Sequence, residues 1–243
     1  MIFHNPISQI KKRYEYSLNF LSRQSTIVFD GYGSISQFES TYPDYHNAHI
    51  INCGVDILHF KPDKQIDESK VLRLICISSF EERKGIQYLL HALPAIEKKI
   101  KDVQLKIIGQ GDYISEYYEI IRKLNIKHLV NIYSPVNDTK KYLLRSDIYV
   151  LLSKGEGFPL GVLEAMSCGM PCIVSNLEPF DEIMNENIGF MVERKDINSI
   201  VNAVVLLKNK EKRKKIGETA RKKVISNYSW DIIANKYEKL ISE

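Results

Sequence analysis

The chain has 243 residues, of which 44% are hydrophobic and 26% are charged, with a formal net charge of +4. This composition is typical of a globular protein with a sizeable core. No stretch approaches eighteen apolar residues, and the amino terminus lacks a basic start followed by an apolar core, so we expect neither a transmembrane helix nor a secretory signal. The four cysteines have no metal-binding spacing with histidine, which indicates reduced, mostly buried thiols in a cytoplasmic protein.

The predicted elements follow one another in two different rhythms. Over the first sixty residues they are short and irregular: a helix at 6–21, strands at 25–29 and 49–51, a turn at 30–33 and a short helix at 35–40. From residue 71 onward strands and helices alternate, as in a doubly wound fold. The predicted strands span 71–77, 103–108, 129–133, 147–152, 172–175 and 189–192. The predicted helices span 85–100, 113–124, 196–207, 211–226 and 229–241, with two more starting near 137 and 159. We therefore predict an α/β fold with one Rossmann-like parallel sheet.

Positive charge is concentrated in one segment, residues 208–223, which holds nine basic side chains against two acids. One interpretation is a solvated surface helix. The other is attraction to an anionic membrane surface, which would make the protein peripheral at the inner membrane face. No recognised motif for nucleic-acid binding accompanies the charge, so we expect no nucleic-acid partner.

Two glutamates, Glu156 and Glu164, follow the predicted strand at 147–152. Glycine on either side of Glu156 permits a tight turn, and Pro159 suits the first position of a helix. Glu164 would then lie on the flank of that helix. Three apolar side chains would point inward, those of Leu160, Leu163 and Met166.

The loop that carries Glu156 is expected at the carboxyl edge of the sheet, where open α/β folds bind their ligands. Backbone N–H groups at the helix start could hold an anion there. These positions are Gly157, Phe158, Pro159 and Leu160. A carboxylate on either side of such a backbone predicts a site for a charged, hydroxyl-rich ligand. The alternative is an amphipathic helix with two solvated acids.

The whole string around the two glutamates reads Glu-Gly-Phe-x5-Glu-Ala-Met-x2-Gly-x-Pro, from residue 156 to residue 171. It resembles the signature of retaining GT-B glycosyltransferases of the large family-4 kind. The resemblance implies that Glu156 is the catalytic residue beside the transferred sugar and that Glu164 binds the ribose of the nucleotide donor. It also implies that no metal ion and no cofactor are needed, the nucleotide-sugar being a substrate.

Other donor-site residues are implied by the same resemblance. Lys84 matches the lysine of the family pattern Gly-Arg-Leu-x3-Lys-Gly, which clamps the donor pyrophosphate, but Ser79 stands where the arginine is expected. The loss of one charge-assisted contact costs roughly 1.5 to 3 kcal/mol. Arg83 could compensate, although its position beside Lys84 should direct it elsewhere. Val136 belongs to a loop that packs on the nucleobase in the family.

The resemblance also implies a division of the chain. Residues 53–62 resemble the linker between two GT-B domains, so residues 1–60 are interpreted as a truncated remnant of the acceptor-binding amino-terminal domain with its linker. Residues 61–228 would form the nucleotide-sugar-binding domain, and 229–243 a helix that crosses back to the first domain. That helix carries an apolar stripe which so short a remnant would cover only in part, and this indicates a partner chain or a homodimer. The stripe consists of Ile232, Ile233, Tyr237 and Leu240.

These features predict a glycosyltransferase that moves a sugar from a nucleotide-sugar donor to a glycan or lipid-linked acceptor with retention of configuration. The alternative is a non-catalytic nucleotide-sugar-binding or regulatory subunit of a split enzyme, which Ser79 and the short amino-terminal part favour. A dehydrogenase would need a third glycine after Gly109 and Gly111, and position 114 is isoleucine.

Overall fold

The computed structural model describes residues 2–3, 26–31, 35, 38–40, 47–63 and 70–242. A small parallel sheet near the amino terminus has the order β1-β2-β3. Its strands are β1 (Ile2–Phe3), β2 (Ile27–Phe29) and β3 (Ala48–Ile50). The predicted strands at 25–29 and 49–51 are confirmed with shifted ends, and the described residues of the predicted short helix are helical. The predicted helix at 6–21 lies outside the described residues.

A six-stranded parallel sheet forms the centre of the remaining chain, with the order β6-β5-β4-β7-β8-β9. Its strands are β4 (Leu72–Ile77), β5 (Val103–Ile108), β6 (Val130–Tyr133), β7 (Ile148–Leu151), β8 (Cys172–Ser175) and β9 (Gly189–Val192). Every predicted strand of this sheet is confirmed to within one residue at either end, and so is the Rossmann-like α/β class.

Helices connect these strands. They are α1 (Ile86–Ile100), α2 (Ile114–Lys123), α3 (Lys140–Leu143), α4 (Leu160–Ser167), α5 (Glu178–Asp181), α6 (Ile197–Leu206), α7 (Lys210–Tyr228) and α8 (Trp230–Ser242). The five long helices whose bounds were predicted agree with the structure to within two residues at each end. The short helix α5 was not predicted, because four residues with a proline among them give no helical periodicity.

The central strands of the large sheet, β4, β7 and β8, are largely buried on both faces. In β4, Leu74 and Cys76 pack with α1, α2 and α6, whereas Ile75 faces the cluster formed with α4 and α7. Successive strand side chains point to opposite faces, so an uninterrupted apolar strand needs helices on both sides. This arrangement makes the sheet doubly wound.

The strand order places a topological switch point between β4 and β7. From β4 the chain proceeds through α1 to β5 on one side, and from β7 it proceeds through α4 to β8 on the other. The loops that follow β4 and β7 therefore diverge and leave a crevice at the carboxyl edge, which is where doubly wound sheets bind ligands.

The basic segment 208–223 forms the first part of α7, and its helical nature is confirmed. Its inner side packs closely on α4, because a Cβ on Gly217 would lie 1.9 Å from the Gly169 carbonyl oxygen. The Arg221 guanidinium fixes the same side by donating to the carbonyl oxygens of Phe60, at 3.1 Å, and Ser167. Most lysines of the segment are exposed on the other side of the helix.

The last helix, α8, crosses back onto the small sheet. Ile233 is buried against Val28 and Ile51, while Tyr237 and Leu240 are partly buried beside them. The small sheet therefore covers much of the predicted apolar stripe. In the described part of the chain no helix is both long enough and apolar enough to cross a membrane. All four cysteines are free, and three of them are buried, as predicted.

Candidate active site

The crevice between β4 and β7 holds an ion pair between two predicted site residues. The Lys84 ammonium nitrogen lies 2.7 Å from Oε1 and 2.9 Å from Oε2 of Glu156. Only 13% of the lysine side chain and 9% of the glutamate side chain are exposed. The structure thus joins two residues 72 positions apart in sequence in one partly dehydrated charge pair.

Backbone packing positions this pair. Gly85, directly after Lys84, has φ +73, and a Cβ there would lie 1.9 Å from the Leu152 carbonyl oxygen. Glycine alone combines that conformation with such a close approach. The Lys154 N–H also donates to the Arg83 carbonyl oxygen at 2.7 Å. The loop after β4 is therefore held on the end of β7, and Lys84 is directed at Glu156.

Ser153 is a site residue that the sequence analysis missed. Its hydroxyl is buried and donates to Oε1 of Glu156, while its carbonyl oxygen accepts from the Ser175 hydroxyl at 2.6 Å. A small polar residue that ends an apolar strand immediately before a glycine loop is the signal that could have identified it. Ser153 limits the orientations open to the Glu156 carboxylate.

Arg83 reaches the same loop, and the expectation that it points elsewhere is wrong. Its guanidinium donates to Oε2 of Glu81 at 2.7 Å and to the Gly155 carbonyl oxygen at 3.4 Å. The Ser79 hydroxyl donates to the other oxygen of Glu81. Serine at position 79 therefore contacts the carboxylate that holds Arg83, and Arg83 is kept beside the loop that carries Glu156.

Glu164 lies on α4 and is half-buried. Burial raises the pKa of its carboxyl group to about 7, while the charge of His59 and a hydrogen bond with Thr139 act in the opposite direction. His59 also contacts the Asp138 carboxylate at 3.3 Å. The sequence analysis did not identify His59 or Thr139, because they come from the linker and from the residue before α3.

The phenol of Tyr149, on β7, is buried near the crevice. Burial raises the pKa of Tyr149 well above its usual value, and the negative charges of Glu164 and Glu156 add to that effect. The Tyr149 hydroxyl donates to the Ile77 carbonyl oxygen at 3.0 Å, at the end of β4. This hydrogen bond joins β7 to the end of β4 at the switch point.

The start of α4 differs from the prediction in two respects. Pro159 precedes the helix and has no N–H to donate, and the Leu160 N–H donates to the Phe158 carbonyl oxygen at 3.0 Å. Leu160 is 39% exposed instead of inward-pointing, because the buried face of the helix is formed by Val162, Leu163, Ala165 and Met166, and Leu160 lies at the edge of that face. In the described part of the chain the N–H groups of Gly157 and Phe158 have no acceptor, so the anion-binding amides are reduced to these two.

Two further loops border the crevice. Val136 is half-buried against the cluster that contains α4, on the loop after β6. Gly111 packs on the loop after β4, since a Cβ there would lie 2.4 Å from the Phe80 carbonyl oxygen. On the opposite side a Cβ on Gly31 would lie 2.4 Å from the Gly157 carbonyl oxygen. The turn after β2 therefore abuts the Glu156 loop.

Comparison with known proteins identifies the family. The sequence model of the protein family described as "Glycosyl transferases group 1" matches residues 58–223, more than half of the chain. The chain belongs to this family. It is 30% identical over 187 residues to the N-acetyl-alpha-D-glucosaminyl L-malate synthase of Bacillus anthracis. The matched region covers 76% of this chain and 49% of the relative. It is also 30% identical over 201 residues to the UDP-Gal:alpha-D-GlcNAc-diphosphoundecaprenol alpha-1,3-galactosyltransferase of Escherichia coli, covering 77% and 52% respectively.

Solved structures agree on the fold. The crystal structure of Anabaena HepE in complex with UDP and glucose is similar with a TM-score of 0.85 and 18% identity, over 100% of this chain and 70% of that one. The resemblance to GT-B glycosyltransferases is thus confirmed. This group 1 glycosyltransferase chain spans about half the length of the two relatives described above.

Proposed function

We propose that this chain binds a nucleotide-sugar in the crevice between β4 and β7 and that its sugar passes, with retained configuration, to a glycan or lipid-linked acceptor. The observation that carries the proposal is the Lys84–Glu156 pair at the switch point of a group 1 glycosyltransferase. The substrate class is supported by a relative named for a UDP-Gal donor and by a structural neighbour that holds UDP and glucose.

Each site residue has a role that suits its environment. Lys84 and the amides of Gly157 and Phe158 would stabilise the negative charge that grows on the diphosphate as its bond to the sugar breaks. Glu156, held by Ser153, would position the sugar and stabilise positive charge near the anomeric carbon. No step in this scheme requires a metal ion or a cofactor.

The nucleoside part of the donor would also lie at the carboxyl edge of the large sheet, beside Glu164 and Val136. The Glu164 carboxylate would accept hydrogen bonds from the ribose hydroxyls. Val136 would pack on the base. Arg83 would take the place of the arginine that Ser79 replaces, after exchanging its contact with Glu81 for the diphosphate.

We further propose that residues 1–60 represent part of an acceptor-binding domain, 61–228 the donor domain and 229–243 the crossing helix. A separate chain, or a second copy of this one, would complete the acceptor wall. The exposed lysines of α7 would bring the protein to an anionic membrane surface on the cytoplasmic side, where its thiols stay reduced. The alternative, a non-catalytic donor-binding subunit, is favoured by Ser79, which stands where the family pattern has arginine.

Binding of a nucleoside diphosphate tests the proposed donor site. We expect calorimetry with uridine, guanosine and adenosine diphosphates to detect one preferred ligand. Lys84→Ala and Glu164→Ala should each weaken its binding by about 1 to 3 kcal/mol. Lys127→Ala, which removes an exposed cation outside the crevice, should leave binding unchanged. A well-folded sample that binds none of the three nucleotides would contradict the donor-site assignment.

The chain by itself should transfer sugar poorly, because only part of the wall opposite the donor crevice is present in it. Proximity lowers a reaction barrier when both substrates are held together. Product formation from labelled nucleotide-sugars and a lipid-linked or saccharide acceptor measures this directly. Efficient transfer by the purified 243-residue protein would show that its first sixty residues suffice for acceptor binding, and would exclude the non-catalytic alternative.

A further inference from the structure

We propose that a basic cavity at the amino-terminal edge of the large sheet binds a phosphate-bearing anion, at a site separate from the donor crevice. The cavity has a volume of about 400 Å³, within the range of roughly 300 to 1,000 Å³ that is typical of small-molecule sites. Six cationic side chains line it: Lys70, Lys98, Lys99, Lys101, Lys208 and Arg213.

Three segments that are far apart in sequence build this cavity. One precedes β4, one joins α1 to β5, and one joins α6 to α7. The first two are fixed to each other, because Leu72 is in register with Val103 and its N–H donates to the Asp102 carbonyl oxygen at 2.8 Å. Six-residue strands separate this edge from the donor crevice by about 20 Å.

In the part of the chain that the structure describes, cations outnumber acids in the lining of the cavity by six to one. Within the described residues none of its five lysines forms an ion pair, and Asp102 is the one acid in the lining. Like charges gathered on a concave surface repel one another and raise the local concentration of anions. A group with two or more negative charges would relieve that repulsion, which favours phosphate esters and diphosphates over single carboxylates.

Arg213 provides a directed donor at this position. One of its terminal nitrogens is fixed by the carbonyl oxygens of Leu207, at 2.7 Å, and Lys208, at 2.8 Å. The nearby Asp147 carboxylate is occupied by Arg73, at 2.9 and 3.2 Å. The other guanidinium N–H groups of Arg213 make no hydrogen bond in the described part of the chain, and a fixed guanidinium is well suited to phosphate oxygens.

The backbone at Lys101 is a second unusual feature of the cavity. Lys101 has φ 56 and ψ −62, and the Asp102 N–H donates to the Ile100 carbonyl oxygen at 2.6 Å. This is a γ-turn with positive φ, a rare and strained conformation that glycine tolerates better than lysine. The turn fixes the backbone position from which Lys101 lines the cavity.

Titration of the ¹⁵N-labelled chain with inorganic pyrophosphate tests the site, in a Lys84→Met/Glu156→Gln background that removes the cation of the donor crevice without leaving a buried charge unpaired. We expect the largest amide shift changes at residues 101, 102 and 208. A Lys98→Ser/Lys99→Ser variant should lose roughly tenfold or more in affinity. Lys127→Ser/Lys195→Ser removes the same charge from exposed positions outside both the cavity and α7 and should change the affinity by less than about twofold.

A second arm distinguishes the source of the phosphate. Sedimentation with vesicles containing an anionic phospholipid, compared with neutral vesicles, measures binding to lipid headgroups. If Lys98→Ser/Lys99→Ser loses affinity for the anionic vesicles and the control variant does not, the ligand is a lipid headgroup. If it loses affinity for pyrophosphate alone, the ligand is a free phosphate compound. If both double variants lose the same affinity for both probes, or if neither probe binds, there is no specific site and the proposal is wrong.

Discussion

Replacing Lys84 with methionine is expected to lower the free energy of unfolding by about 3 to 5 kcal/mol, because it leaves a buried carboxylate without its cation. The Glu156 side chain is 9% exposed, and its remaining described partner would be the Ser153 hydroxyl. Methionine retains most of the aliphatic packing of lysine, so the loss would come from the charge and not from a cavity.

Urea unfolding of matched variants isolates this effect. Arg83→Met removes the neighbouring cation, whose side chain is 48% exposed, and should cost no more than about 1 kcal/mol. Lys84→Met/Glu156→Gln should recover most of the stability, since neither charge remains buried. If Lys84→Met costs no more than Arg83→Met, the crevice is too well hydrated for the pair to matter.

The same ion pair predicts opposite effects of its two members on ligand binding. A donor diphosphate must compete with Glu156 for the Lys84 ammonium group, which the carboxylate engages through both oxygens. Glu156→Gln should therefore tighten the binding of a nucleoside diphosphate by about 0.5 to 1.5 kcal/mol while it abolishes transfer. Weaker binding by Glu156→Gln would show that the carboxylate contacts the nucleotide itself.

The centre of the large sheet could be predicted from sequence because its strands bury both faces. In β8 all four side chains are buried, and the apolar run ends with the strand, so pattern and structure coincide. The pairing of Glu156 with Lys84 could be anticipated only from the family pattern, since nothing local relates two residues 72 positions apart. Their contact depends on the order of β4 and β7 in the sheet.

The errors at the start of α4 have a local cause. Pro159 suits either the first helical position or the position before it, so the pattern leaves the start of the helix open by one residue. Leu160 has the same spacing from Leu163 as Leu163 has from Met166, but the buried face also includes Val162 and Ala165 and is centred away from Leu160. The basic cavity was equally inaccessible to sequence reasoning, because its lysines lie in three separate segments that only the folded sheet brings together.

The half-buried Glu164 should make the stability of the protein depend on pH. Burial raises the pKa of its carboxyl group from 4.5 to about 7. Between these values the folded protein retains a proton that the unfolded chain has released. The contribution of the protonated carboxyl group is therefore complete below pH 4.5 and is lost as the pH rises through 7.

We therefore expect the free energy of unfolding to fall by at most roughly 3 kcal/mol between pH 5 and pH 8 on account of Glu164, with the partial exposure of the side chain reducing the change. Glu164→Gln should remove most of this slope, because an amide does not ionise. Glu186→Gln, at an exposed position, is the matched control and should retain it. Urea unfolding of the three proteins across this range measures the difference. A slope that survives in Glu164→Gln would assign the pH dependence to other groups, and would leave Glu164 ionised at neutral pH and ready to accept hydrogen bonds from a ribose.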